Sequence, residues 1–398
     1  MRETCEVAIV GGGVIGCAIA HRIRSQGRSV VLVEAASQLG LGASDAAMGG
    51  ILTQTESSCL GRLSPVIKHS RDLYPAWLAE LAEISGVEVP VLDGGDIQVA
   101  LDDEEMTRLE TEILPLWEAS PFAVEQLTAA EARKLEPLLS EAVVGGFLLP
   151  DELALDPREL MGALRRTMER AGVAVRLEAR ALRVASGPGG ARVELRGGET
   201  IHAETVIVAA GHLSGLLLPA LDAVMLPIKG EAYNVRRPGF TTYPLRHHVF
   251  AEITSDGRTG YPYLVPRHDG RLAVGVTYEE GVGDPTPTAA GRDEIARWTA
   301  TLMPAVADWP VERHWAGLRP ASADHIPIIG YVDDHRRLVA ATGHAGLGIT
   351  LAPATAELVT AVLDGRADEE IARSLEICRP DRAFTPLRTA PKPAPTAP

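Results

Sequence analysis

Residues 6–20, EVAIVGGGVIGCAIA, restrict the fold of this chain more than any other stretch. An apolar run stops at a glycine turn, the amphipathic segment CAIAHRIRSQG follows, and a second apolar run, SVVLVEA, comes next. Strand, tight turn, helix and strand in that order predict a βαβ unit, in which the two strands lie parallel. Gly11, Gly13 and Gly16 spell G-x-G-x-x-G at the turn. In such a turn the first glycine permits the bend and the second lets a pyrophosphate approach the backbone. The third allows close helix–strand packing. The helix N-terminus adds free N–H groups and the positive end of its dipole. Glu34 closes the second strand with a carboxylate that suits ribose hydroxyls and would repel a 2′-phosphate. The pattern predicts a dinucleotide site, with FAD and NAD both open at this point.

The rest of the composition fits a globular protein. With 398 residues, 46% of them apolar, the chain is long enough for one or two domains. A net charge of −15 argues against a nucleic-acid partner, which needs a basic face. An anionic small substrate then requires a local cationic pocket. Cys5, Cys17, Cys59 and Cys378 show neither a C-x-x-C pair nor metal-ligand spacing, so reduced thiols, no metal site and a cytoplasmic location are expected. The N-terminal apolar run lacks the flanks of a signal peptide and reads as a strand. No segment offers about eighteen uninterrupted apolar residues, so no membrane span is expected.

Further along, helices are expected at 64–84, 103–136 (broken at Pro115 and Pro121) and 156–172, and strands at 94–101, 173–177 and 192–195. AETVIVAAG, residues 203–211, has the shape of a buried strand returning to the first sheet. From 222 to 280 the pattern turns to short alternating strands, and RHDGR carries an Asp-Gly hairpin signal. The expected fold class is α/β. A Rossmann-like dinucleotide domain is assembled from 1–85, 150–220 and 325–384, with a mainly antiparallel α+β substrate domain inserted as 86–149 and 221–324. The Pro/Ala/Thr-rich residues 385–398 read as a disordered tail.

Two stretches bear on chemistry. LGLGASDAAMGGI, residues 39–51, packs small residues into a loop after the second strand, where a large flat group could lie against the backbone; a nicotinamide fold has no need of it. On composition alone it is equally a flexible loop. HWAGLRP sets Arg319 in an apolar run, pinned by Pro320. A buried arginine is costly unless an anion pairs with it, either a structural carboxylate or a substrate.

Taken together, VAIVGGGVIGCAIA, VVLVEA, ASDAAMGGI, TVIVAAG, PIKGE, YLVPRHDGRLAVGVT, HWAGLRP and ATGHAGLGITLAPATAELV resemble, in this order, the D-amino acid oxidase family of flavoproteins, and its glycine oxidase branch in particular. The resemblance covers the chain to about residue 384. It implies FAD and oxidation of an amine or amino acid at the Cα–N bond. It places Gly11, Gly13, Val14, Ile15 and Gly16 at the dinucleotide turn, and Glu34 and Ala35 at the adenosine ribose. Ala43, Ser44, Met48, Gly49 and Gly50 fall in the loop over pyrophosphate and isoalloxazine, Ala181 at the adenosine end, and Gly211 at the end of the returning strand. His344, Ala345, Gly346, Leu347, Gly348, Ile349 and Thr350 form the turn around the pyrimidine edge of the flavin. His344 is read there as a hydrogen-bonded neighbour rather than a base. Arg319 matches the arginine that binds the substrate carboxylate, and Tyr263 a tyrosine beside it, although a tyrosine on an alternating strand is often only packing.

The likeness breaks at two further site positions. Where glycine oxidases read Gly-His-Phe-Arg-Asn-Gly this chain has GHAGLG, so Gly346 replaces a second arginine; the GLGIT spelling is closer to D-amino acid dehydrogenases. Tyr278 stands where a methionine is usual. The expected function is FAD-dependent oxidation of glycine, sarcosine or a small D-amino acid with oxygen as acceptor. A dehydrogenase serving a quinone or partner flavoprotein, and a non-catalytic flavoprotein subunit, are the alternatives. Self-association is left open.

Overall fold

The computed structural model describes residues 3–56, 61–255 and 257–384; the expected tail at 385–398 lies outside them. Strand Glu3–Val10, helix Val14–Ser25 and strand Val30–Val33 form the βαβ unit, with the strands in parallel register from Val7↔Val30 to Val10↔Val33. Strand Thr200–Val208 lies parallel on the other side of Glu3–Val10 and is followed by Leu338–Thr342; Ala174–Arg176 flanks Val30–Val33. The strand read at 203–211 therefore does return to the first sheet. Alternation decides the faces. Val7 and Ile9 pack into the helical layer, while Ala8 and Val10 join the opposite layer with Val206 and Val208.

The segment Ala345–Asp364 is long and apolar enough to cross a membrane by length and composition. Its helix, Gly348–Asp364, instead packs against helices Val14–Ser25 and Ser64–Ser85, with Leu351, Ala352, Leu358 and Val359 buried. Its apolarity is that of a core helix, hydrophobic nearly all round because protein surrounds it.

The second sheet is mainly antiparallel and draws its strands from residues 96–149 and 225–322. Its longest pairing joins Met225–Arg236 to Val311–Ser322, which sets Ile228 opposite Arg319. RHDGR closes the hairpin between Tyr263–Pro266 and Arg271–Gly275, with Gly270 at φ 87°, as its Asp-Gly pair predicts. Strand Asp96–Ala100 sits beside His248–Phe250 in parallel, with Asp96 opposite His248.

The expected helix over 103–136 is corrected. Helical structure covers Asp103–Glu118, with a π-helical turn at Leu109–Ile113, and stops before Glu125–Thr128, a strand paired with Gly145–Leu149. A helix, Ala129–Leu135, resumes after a capping box between Thr128 and Glu131. Glu125–Thr128 is an edge strand with only Leu127 buried, so it carries almost no alternating apolar signal. Its partner begins Gly145–Gly146, and a Cβ at Gly146 would fall 2.2 Å from the Gln98 carbonyl oxygen. Close strand approach requires glycine there, and that need is invisible before the strands are paired.

The end of the described chain is held by one buried ion pair. Asp324, 3% exposed, accepts two bonds of 2.9 Å from Nε and Nη2 of Arg382, which also donates to the Pro327 and Ile326 carbonyls. Burial alone would raise the Asp324 carboxyl, but the Arg382 bonds outweigh it and hold it below the ordinary aspartate range. Its stabilisation is therefore complete above the unfolded aspartate value and is lost as pH falls through the lowered folded value. Asp324→Ala should cost about 3–5 kcal/mol in denaturant unfolding, because a charged Arg382 stays buried without its partner. A loss below about 1 kcal/mol would show that the pair is screened by water.

Candidate functional site

A continuous cavity of about 1520 Å³ runs between the N-termini of helices Val14–Ser25 and Gly348–Asp364. Pockets for drug-sized ligands span roughly 300–1,000 Å³, so this larger space suits a dinucleotide with a substrate beside it. At one end the turn is built from backbone. Gly11 donates to the Val33 carbonyl at 2.8 Å and adopts φ 111°; a Cβ there would lie 2.2 Å from the Ala209 carbonyl oxygen. Glu34 accepts from the N–H of Gly12 at 2.7 Å and of Ala36 at 2.8 Å, which fixes its carboxylate at the cavity edge. Ala35, Ala181 and Gly211 line the same end.

The small-residue loop runs along the cavity wall. Ser44 Oγ accepts from the N–H of Val14 at 2.9 Å, and Trp315 Nε1 donates to the Ala46 carbonyl at 3.1 Å. Gly49 sits at φ 88°, where a Cβ would meet the Leu155 carbonyl oxygen at 2.0 Å. Arg267, 4% exposed, donates to the carbonyls of Met48 at 2.6 Å and Leu155 at 2.8 Å and so clamps the loop. No sequence motif marks Arg267; its one signal is a charge placed at the end of the apolar strand Tyr263–Pro266.

Arg319 lies at the other end of the cavity. Its Nη1 donates to the Thr277 carbonyl at 3.4 Å, and its guanidinium carbon is 5.6 Å from the centre of the Tyr278 ring. Gly230, on the neighbouring strand, makes this possible: a Cβ there would fall 2.2 Å from Nη1. Burial pulls the Arg319 pKa below its ordinary value, while nearby Glu56 opposes the shift. An arginine remains charged through such a change. The cavity wall here also includes Tyr263, Tyr261, Phe250, Gln98, Leu109 and Ile113, the last two from the π-helical turn. Apart from Tyr263, these came from no sequence motif.

His344 is 2% exposed, its Nε2 lies 3.0 Å from Thr355 Oγ1, and burial pushes its pKa down to about 3. A neutral, hydrogen-bonded imidazole is what this geometry provides. Ala345, Gly346, Gly348 and Ile349 line the cavity, and a Cβ at Gly346 would lie 3.2 Å from Glu56 Oε2.

Three of the expected cofactor contacts do not reach the cavity. Gly16 lies behind the turn, where a Cβ would fall 1.8 Å from the Gly11 carbonyl oxygen; it serves packing. Leu347 and Thr350 are wholly buried, because the turn into the helix rotates them toward the core. Thr350 Oγ1 accepts from the N–H of Leu52 at 2.8 Å and donates to the Gly50 carbonyl at 3.4 Å, bracing the small-residue loop from behind.

A parallel sheet with a dinucleotide turn and an antiparallel sheet that carries a charged arginine open onto the same cavity, the architecture of the flavoprotein oxidoreductases. The FAD dependent oxidoreductase model (DAO) matches residues 6–362, and the chain belongs to that family. Its relatives include the glycine oxidase of Bacillus licheniformis, 30% identical over 92% of this chain and 94% of that protein. The crystal structure of glycine oxidase from Geobacillus kaustophilus superposes with a TM-score of 0.85 at 31% identity, covering 92% of this chain and 96% of that one. The L-proline dehydrogenase structure from P. horikoshii, at 22% identity and a TM-score of 0.78, shares the fold.

The protein is therefore an FAD-dependent oxidoreductase. The residues present fit that cofactor. The Gly11 turn leaves no room for a side chain, Glu34 stands at the strand end, and two helix N-termini whose own N-cap residues make no side-chain hydrogen bond face the cavity where anionic groups would be held.

Proposed function

We propose that this enzyme oxidises the amine of a small amino acid to an imine, with the substrate carboxylate bound by Arg319. The observation that carries this reading is a charged arginine on the wall of the dinucleotide cavity, with Gly230 leaving space for its guanidinium. A guanidinium presents two parallel N–H groups to a carboxylate, which orients as well as binds it. Bound FAD supplies the two-electron acceptor for the hydride leaving the α-carbon. The protein's part is to bind the amino acid in its neutral-amine form, hold the α-carbon in place and exclude water. His344, neutral by burial, adds no second charge near that centre. Water hydrolyses the released imine to the 2-oxo acid, and oxygen is the proposed electron acceptor, giving hydrogen peroxide. The glycine at 346 removes a side chain from the cavity wall, and the Glu56 carboxylate stands 3.2 Å from where its Cβ would be.

The test is anaerobic mixing of the yellow protein with glycine, sarcosine, D-alanine, D-proline and their L-isomers. At least one of them should bleach the visible flavin band, and air should restore it with release of peroxide. Bleaching that persists in air would replace oxygen with another acceptor. A band that none of the amino acids changes would overturn the proposal.

A further inference from the structure

Behind Tyr263 lies a buried polar group that the reaction above does not use. Tyr263 Oη is 3.1 Å from His248 Nδ1, and that same nitrogen is 3.1 Å from Asp96 Oδ1. His248 and Asp96 are fully buried, and Tyr263 is 7% exposed. The arrangement follows from register: parallel pairing sets His248 beside Asp96, and antiparallel pairing sets Phe250 opposite Tyr263. Asp96 is itself fixed, since its Oδ2 accepts from Thr55 Oγ1 at 2.8 Å. Thr55 is tied in turn to Glu152, which accepts the N–H groups of Gln54 at 2.6 Å and Thr55 at 2.8 Å. Buried charges and hydroxyls are not assembled in this number without a return, because each must be desolvated.

The positions of the hydrogens follow from the two distances at Nδ1. Asp96 Oδ1, 3.1 Å from Nδ1, disfavours a lone pair there and makes no hydrogen bond of its own, so we assign the tautomer with the proton on Nδ1. Tyr263 Oη then accepts from Nδ1, and its own O–H is left to donate elsewhere. Tyr263 lines the cavity, and Gly50 leaves space at its hydroxyl, since a Cβ there would fall 2.5 Å from Oη. We propose that His248, backed by Asp96, is a positioning residue that fixes the Tyr263 hydroxyl as a donor to the substrate carboxylate held by Arg319. His248 is not on the cavity wall and touches no substrate, so it acts only through Tyr263. The inference rests on the amino-acid reading for its ligand.

The holoenzyme tests it with acetate, a carboxylate that cannot be oxidised at an amine, titrated against the visible flavin spectrum, and with KM and kcat for whichever amino acid reduces the flavin. Tyr263→Phe should weaken acetate binding and raise KM roughly tenfold, the scale of a hydrogen bond to a charged group, with kcat nearly unchanged. His248→Leu should produce most of that loss in the wild-type background and none in the Tyr263→Phe background. His248→Asn should restore binding, because its amide N–H stands close to where Nδ1–H does, whereas His248→Gln, longer by one carbon, should not. Where the leucine variant fails to fold, the asparagine and glutamine variants carry the comparison. Acetate binding that is equal in wild type and His248→Leu, or a penalty as large in the Tyr263→Phe background, would overturn the proposal. Failure of the broader reading looks different: no amino acid reduces the wild-type flavin, yet acetate still binds more tightly to wild type than to His248→Leu.

Discussion

Arg319→Ala should lower kcat/KM for an amino-acid substrate by roughly two to three orders of magnitude while the protein stays yellow. Truncating one partner of a buried, hydrogen-bonded charge pair costs about 2–5 kcal/mol, and each 1.4 kcal/mol is a factor of ten. The loss divides between KM, where the carboxylate loses its counter-charge, and kcat, where the α-carbon is no longer held in register. Arg319→Lys should recover only part of it, since a point charge replaces a two-pronged donor. Gly230→Ala offers an independent check. Its methyl group would stand 2.2 Å from Nη1, so it must displace the guanidinium without removing any charge. It should raise KM with the flavin retained. Unchanged kinetics in Arg319→Ala would assign this arginine to structure, held by the Thr277 carbonyl and the face of Tyr278.

Gly11→Ala should abolish flavin binding. At φ 111° the backbone occupies a region that side chains rarely adopt, and the new methyl carbon would fall 2.2 Å from the Ala209 carbonyl oxygen. The collision is with backbone on the neighbouring strand Thr200–Val208 and its continuation, so no side chain can rotate away. The turn must open, and the N–H groups of the helix that follows no longer converge. The measured quantity is the ratio of visible flavin to protein absorbance in purified protein, expected to fall to near zero. Gly187→Ala is the control: a Cβ there meets nothing within 4 Å, and flavin content should be unchanged. A yellow Gly11→Ala protein would show that the turn tolerates a side chain and that the phosphates are held elsewhere.

How far the sequence reaches can be judged from particular residues. Gly11 and Glu34 were legible because turn, helix and strand end are local, and each residue's part follows from its neighbours in the chain. Arg319 was legible as a charge out of place, although its space beside Gly230 was not, since that depends on the pairing of Met225–Arg236 with Val311–Ser322. The strand Glu125–Thr128 reads as helix in the sequence because an exposed edge strand leaves little alternation to detect. Leu347 and Thr350 stand within a motif, but whether a motif residue lines the cavity or faces the core depends on the turn's rotation, and these two face inward, while Gly16 takes the packing place its motif gives it. His248 and Asp96 belonged to no motif at all.

By itself the sequence determined the dinucleotide turn, the alternation of parallel and antiparallel segments, and the existence of a lone arginine in an apolar run. These are short-range properties, set by backbone freedom, side-chain period and polarity over a few consecutive residues. Only the tertiary structure decided that the two helix N-termini and Arg319 open into one cavity, that Arg267 clamps the Met48 loop, and that Asp96, His248 and Tyr263 stand in line behind it. Strand register brings those side chains together, and register is an agreement between distant segments that neither one encodes alone.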